Sequence, residues 1–275
     1  PATQGPHCFL NGVELGSGAV KQLVAVLPNC PLWCEIDWRL PYIPEAPVLI
    51  GLMQGLIRQT CLETLSIRGK QYYSSTSYPG LDLLIPELAR FASLERLCLG
   101  NFVVSANTFI GLQHVLSLKY LLLEDMSITP LHAEALKPMF ETVKLETLRM
   151  PLDAHTTEAA QPFLDALCCC TSLTSLHLHV SLASEPPGAD CLPFLRQLLT
   201  HLTTLTSFTF LSDNYSIETP WRVAIMHLLG LNLQNINILG QQISCGGTEN
   251  NVKRHSTLES KSVFRGPVQP PPAEL

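Results

Sequence analysis

His177 and His179 stand at i, i+2 in the segment Leu173–Val180 of a 275-residue chain. Two imidazoles at that spacing leave a strand on the same side and could share a metal ion. A catalytic zinc ordinarily takes three protein ligands. His155 lies in the preceding turn, but no carboxylate or cysteine occupies an obvious third place. The expectation is therefore histidines that face solvent or a partner, with no metal and no cofactor. Titrating near neutral pH, such histidines would make binding sensitive to acid.

The other reactive side chains form no familiar constellation. Cys168, Cys169 and Cys170 are adjacent, and the remaining cysteines of the ten are single, with no C-x-x-C pair of the structural zinc type. Adjacent thiols near a helix end read as core-filling groups, since free cysteine is among the most buried residues. A reducing, cytoplasmic setting follows, and the sequon Asn214-Tyr215-Ser216 is the one contrary sign. Glu124 and Asp125 are neighbours that face different ways, so they make no acid/base pair. Nucleophile elbow, P-loop, dinucleotide fingerprint and metalloprotease helix are all missing. The chain is not expected to be an enzyme.

Charge and hydropathy narrow the classes further. A formal charge of −6 gives no field to attract nucleic acid or an anionic membrane. The longest apolar run, Val48 to Ile57, is broken by Gln54 and falls short of a membrane span. No signal peptide is evident, although residue 1 is Pro, which points to a processed chain or an excerpt. With 46% apolar and 15% charged residues, the chain has ample material for a large core.

A spacing L-x-x-L-x-L recurs from Trp33 through Leu62, Leu94, Leu118, Leu145, Leu173 and Leu205 to Leu233. The intervals run from 24 to 32 residues. Each period reads as strand, turn and helix, as in SLKYLLLEDMSITPLHAEALKPMFETVKLETLRM, residues 117–150. Val20, Leu23, Val24 and Leu27 predict a helix from Ser17, stopped by Pro28-Asn29, that caps the first strand. Thr129-Pro130 and Thr219-Pro220 are helix openings. Pro86, Pro138, Pro162 and Pro193 stand shortly before the next strand and predict short or kinked helices. Residues 1–16 read as a lead-in, 17–239 as about eight periods, and 240–275 as a Pro/Ser/Gly-rich disordered tail. Within that tail, Pro267-x-x-Pro270 and Lys253-Arg254-His255-Ser256 have the form of an SH3 ligand and a phosphorylation site, but read first as solvated chain.

Periods near 28 residues with helical segments of this kind resemble the ribonuclease-inhibitor-like class of leucine-rich-repeat proteins. The resemblance covers residues 17–239 and implies an α/β fold: a right-handed solenoid, or horseshoe, with parallel strands on the concave face and helices on the convex face. Its members include cytosolic inhibitors, ubiquitin-ligase substrate receptors, sensor domains of nucleotide-binding receptors and bacterial effectors. One departure is plain: where the family has a turn-satisfying Asn or Cys, this chain has Lys70, Phe102, Met126, Asp153, Ser181, Asp213 and Gln241. Irregular turns are expected. No F-box-like or nucleotide-binding segment is present.

Alternation along each strand then sets three columns of side chains on the open side of the sheet. The first includes Thr64, Arg96, Tyr120 and Thr147, the second Ser66, Cys98, Leu122, Arg149 and His177, and the third Arg68, Gly100, Glu124, Pro151 and His179. Arginine and aromatic residues are favoured interface anchors. Arg68, Arg96, Tyr120, Leu122, Arg149, His177 and His179 are thus the candidate contacts of a protein partner. The expected function is a non-enzymatic protein-binding module, with the substrate-recognition subunit of a ubiquitin ligase as the alternative.

Overall fold

The computed structural model describes residues 7–11, 17–26, 34–40, 46–57, 61–69, 82, 84–154, 158–182, 192–212, 235–238 and 241–244. All of them belong to the first of two units, Pro1–Cys245 and Gly246–Leu275. The architecture is α/β. In chain order the elements are β1 (His7–Asn11), α1 (Ser17–Val26), β2 (Glu35–Leu40), α2 (Ala46–Leu56), β3 (Thr64–Gly69) and α3 (Ile85–Leu88). They continue with β4 (Arg96–Gly100), α4 (Ala106–Leu112), β5 (Tyr120–Glu124), α5 (Ala133–Thr142), β6 (Thr147–Ala154) and α6 (Gln161–Leu167). The last are β7 (Ser175–Leu182), α7 (Leu192–His201), β8 (Ser207–Ser212), β9 (Asn235–Ile238) and β10 (Gln241–Ser244).

One sheet takes the strands in strict sequence order, β1 to β10. Every neighbouring pair from β1 to β9 is parallel, and β10 turns back antiparallel onto β9. Parallel neighbours need a crossover between them, and among the described elements a helix lies between each consecutive pair from β1 to β8. Successive helices pack side by side. The aliphatic residues of the recurring triplets are register partners: Leu65 faces Leu97, Leu97 faces Leu121, Leu121 faces Leu148, and Leu148 faces Leu176. Together with Phe109, Leu136, Phe140 and Phe163 from the helices they form one buried cluster. Helices cover that face of the sheet; the opposite face is half-exposed, as the alternating burial along β5 and β6 shows.

Two rows of hydrogen bonds tie strand entries to the preceding strand, a backbone row at β3 to β8 and a hydroxyl row at β4, β5, β7 and β8. A single carbonyl accepts two successive backbone N–H groups: Glu63 from Glu95 and Arg96, Glu95 from Lys119 and Tyr120, Lys119 from Glu146 and Thr147. Beside this row, the hydroxyl preceding the first leucine donates to the leucine carbonyl one strand back. Ser93 donates to Leu62 at 3.0 Å, Ser117 to Leu94 at 2.8 Å, Ser172 to Leu145 at 2.7 Å and Thr204 to Leu173 at 2.7 Å. These rungs satisfy carbonyls that a partly buried turn would otherwise leave unpaired.

The exits of β4 and β5 share one geometry. Phe102 and Met126, two of the positions noted above for lacking Asn or Cys, are buried apolar groups. The chain leaves β4 and β5 through left-handed residues, Asn101 (φ 65°) and Asp125 (φ 51°), types that tolerate this region. Lys70 and Asp213 lie outside the described residues.

Two expectations, the lead-in and the tail, are revised, while the short helices expected at the prolines hold for α3 (4 residues) and α6 (7 residues). The sheet extends beyond residues 17–239 at both ends: His7–Asn11 lies in what read as a lead-in, and Gln241–Ser244 in what read as a tail. Neither HCFLN nor QQIS carries the triplet, because an end strand pairs on one side and has less core to fill. Pro86 and Pro162 occupy the first turns of α3 and α6, where the missing N–H removes no bond, and Pro193 is the second residue of α7. Of these four, only Pro138 lies beyond the first turn of its helix, and α5 runs through it over 10 residues. Residues 155, 214–216, 219–220 and everything after 244 are outside the described set.

Candidate functional site

Strand register brings the candidate residues onto one face of β3 to β7. Arg96 pairs with Tyr120, and Tyr120 with Thr147, continuing the first column. Cys98, Leu122, Arg149 and His177 are consecutive partners in the second. In the third, Arg68 pairs with Gly100 and Gly100 with Glu124, while Pro151 pairs with His179.

Charges on this face are joined into a chain. Arg68 Nε donates to Ser66 Oγ at 3.2 Å, and Ser66 Oγ donates to Asp37 Oδ1 at 2.7 Å. The Arg68 guanidinium is also 3.5 Å from Asp37. Its Nη1 donates to Glu124 Oε2 at 3.3 Å, and the other Glu124 oxygen lies 3.4 Å from Arg149 Nη1. Arg68 and Glu124 sit on strands with β4 between them, so the side chain must cross that strand. It does so over Gly100, where an added Cβ would lie 3.1 Å from Arg68 Cγ. Cys98 is buried beside this bridge; burial pushes its thiol up, against the opposing pull of Arg68, and leaves a poor nucleophile.

Toward the strand entries, Arg96 Cζ lies 4.3 Å from the centre of the Tyr120 ring, a cation–π stack. The Tyr120 hydroxyl donates to Glu146 at 3.4 Å, and Lys119 Nζ meets Glu95 at 2.6 Å. Leu122 is half-buried between Tyr120 and Glu124 on β5.

His177 behaves differently from the expectation of titration near neutrality. Burial first, then the positive charge of Arg149 and the neighbouring His179, lowers the His177 pKa to about 4, with Glu124 opposing. At neutral pH His177 is therefore uncharged. Among the described residues no group of three or more His, Cys, Asp or Glu is arranged to hold a metal ion. His155 lies outside them.

Glu124, Gly100, Ser66 and Asp37 join the site although they were not singled out from sequence. The signal for Gly100 and Glu124 was the third column itself, where Arg, Gly and Glu follow one another across three strands; Asp37 and Ser66 are register partners in the second column. Without a nucleophile beside a base, the arrangement offers hydrogen-bond donors, one aromatic stack and one aliphatic patch. Compared with known proteins, the chain matches no family model, and no curated protein matches it significantly. Among the described residues no helix is long and apolar enough to cross a membrane.

Proposed function

We propose that the chain is a leucine-rich-repeat solenoid of the ribonuclease-inhibitor-like class, and a non-enzymatic module that grips a protein partner on the exposed face of its sheet. In this reading that face is the concave side of a right-handed horseshoe and the helices form the convex side. The observation that supports it best is the unbroken register of Arg96, Tyr120 and Thr147 beside Leu122, Arg149 and His177. A parallel ladder of this kind presents side chains from many short strands on one wide, preorganised surface, which lowers the ordering cost of binding. Arginine and tyrosine, the types that anchor interfaces, are centred on it.

The buried Cys170 and half-buried Cys168 favour a reducing, cytoplasmic setting for the module. Burial pushes Cys168 to about 11 and Cys170 to about 12, values that suit packing groups better than disulfide partners. The test of the binding reading is a pair of charge reversals. Arg96→Glu with Arg149→Glu should leave the circular dichroism spectrum and melting temperature close to the parent's and abolish capture of the partner. Reversal of the exposed Lys137 on α5 should leave capture intact. Equal capture by the double variant and the parent would reject the face.

A further inference from the structure

Resting on that reading of the exposed face, we propose that its occupant is an acidic protein segment with an aliphatic or aromatic side chain between two carboxylates, the carboxylates meeting Arg96 and Arg149 on either side of Leu122. The charges already present select these two arginines. Arg68 is taken up by Asp37 and Glu124. Arg96 is exposed and, among the described residues, has the Tyr120 ring as its partner and no carboxylate. Stacking fixes the plane of the guanidinium and leaves its N–H edge for an incoming anion. Arg149 meets Glu124 through Nη1 and remains 48% exposed, so its other donors are open.

Spacing and apolar contact define the rest of the segment. Arg96 and Arg149 lie two strands and two residues apart, about 12 Å between backbone positions from strand spacings near 4.8 Å and rises near 3.3 Å. Three to four residues of extended chain cover that distance. Leu122, half-buried and next to Arg149 in register, offers an apolar floor between the two cations. His177, neutral at physiological pH, adds hydrogen bonding without further charge. A nucleic acid is the poorer fit, because its phosphates would run past Asp37 and Glu124, and two isolated cations neutralise too few of them. A membrane surface calls for a cluster of basic groups that the face does not have.

The experiment is selection of a twelve-residue peptide display library on the intact chain, with enriched peptides resynthesised for titration. A duplex oligonucleotide and phosphatidylserine vesicles serve as the other anionic probes. Enrichment of Asp or Glu three to four residues apart around Leu, Ile or Phe is expected. Arg96→Gln and Arg149→Gln should each weaken such a peptide by about tenfold or more, and so should Leu122→Asp. Neutral or basic peptides that lose binding with Leu122→Asp would overturn the acidic occupant while keeping the face. Peptides indifferent to all three substitutions, or no enrichment at all, would overturn the face as well. Tighter binding of the oligonucleotide or the vesicles than of any acidic peptide would replace the proposed occupant.

Discussion

Arg68 on β3 and Glu124 on β5 are joined across an entire intervening strand, Nη1 to Oε2 at 3.3 Å. Gly100 is what lets the arginine pass, because its missing side chain leaves the path open. Space, and not a left-handed backbone, restricts this position. Gly100→Ala asks only a flexible side chain to move a few tenths of an ångström and should cost under about 1 kcal/mol. Gly100→Leu should break the bridge and cost about 1–2 kcal/mol in urea denaturation. In an Arg68→Ala background the leucine should cost measurably less, a coupling of at least about 0.5 kcal/mol. Strict additivity would show that the glycine has another role.

Gly111 on α4 sets helix propensity against packing. Alanine in a helix interior ordinarily gains about 0.5–1 kcal/mol over glycine. Here a Cβ would stand 1.8 Å from Cγ2 of Ile85, a buried residue of α3 that cannot swing away. Gly111→Ala should therefore destabilise by about 1–3 kcal/mol. Ile85→Ala in the same chain should recover part of the loss, which thermal melts of the two single variants and the double variant would show.

The hydroxyl rungs predict a graded series. Ser117→Ala and Ser172→Ala each remove a donor from a leucine carbonyl, at a cost of about 1 kcal/mol. The two serines enter β5 and β7, with β6 between, and share no partner, so the costs should add. Lys144 occupies the equivalent place before Leu145 and supplies no hydroxyl. Lys144→Ser should add the missing rung toward the Leu118 carbonyl and raise the urea midpoint. A lowered midpoint would reject the ladder as a stabilising device.

His177 predicts the direction of one pH dependence. Its folded pKa, about 4, lies below the unfolded value near 6.5, so the unfolded chain binds more protons between those limits. Stability from this residue is complete above about pH 6.5 and declines as pH falls toward 4. His177→Gln should lessen the loss of urea midpoint between pH 7 and pH 5. In the parent, Arg149→Gln should raise the His177 pKa followed by NMR, since one source of repulsion is gone.

Much of the site was readable from sequence because strand alternation is rigid. Once Leu118, Leu121 and Leu123 are assigned inward, Tyr120, Leu122 and Glu124 have only the other side, and the register bears this out across β5 and its neighbours. The Arg68–Glu124 bridge was not readable, since it depends on the reach of one side chain over an adjacent position. The protonation of His177 was equally hidden, because burial and Arg149 set it together. β1 and β10 escaped because end strands are defined by their partner, whereas the interior strands advertise themselves through leucines buried under helices. Pro86, Pro162 and Pro193 stand in first helical turns, a setting that their distance from the next strand does not reveal, whereas Pro138 lies in the middle of α5.

Site-specific photocrosslinking tests the central claim most directly, by placing a photoreactive amino acid at Leu122 on the exposed strand face or at Leu131. Leu131 lies just before α5 and, at 88% exposure, is the most exposed large apolar side chain described, so it is the natural rival. The account predicts a partner adduct from position 122, competed by an acidic peptide, and none from position 131. Adducts from position 131, with position 122 silent, would contradict it.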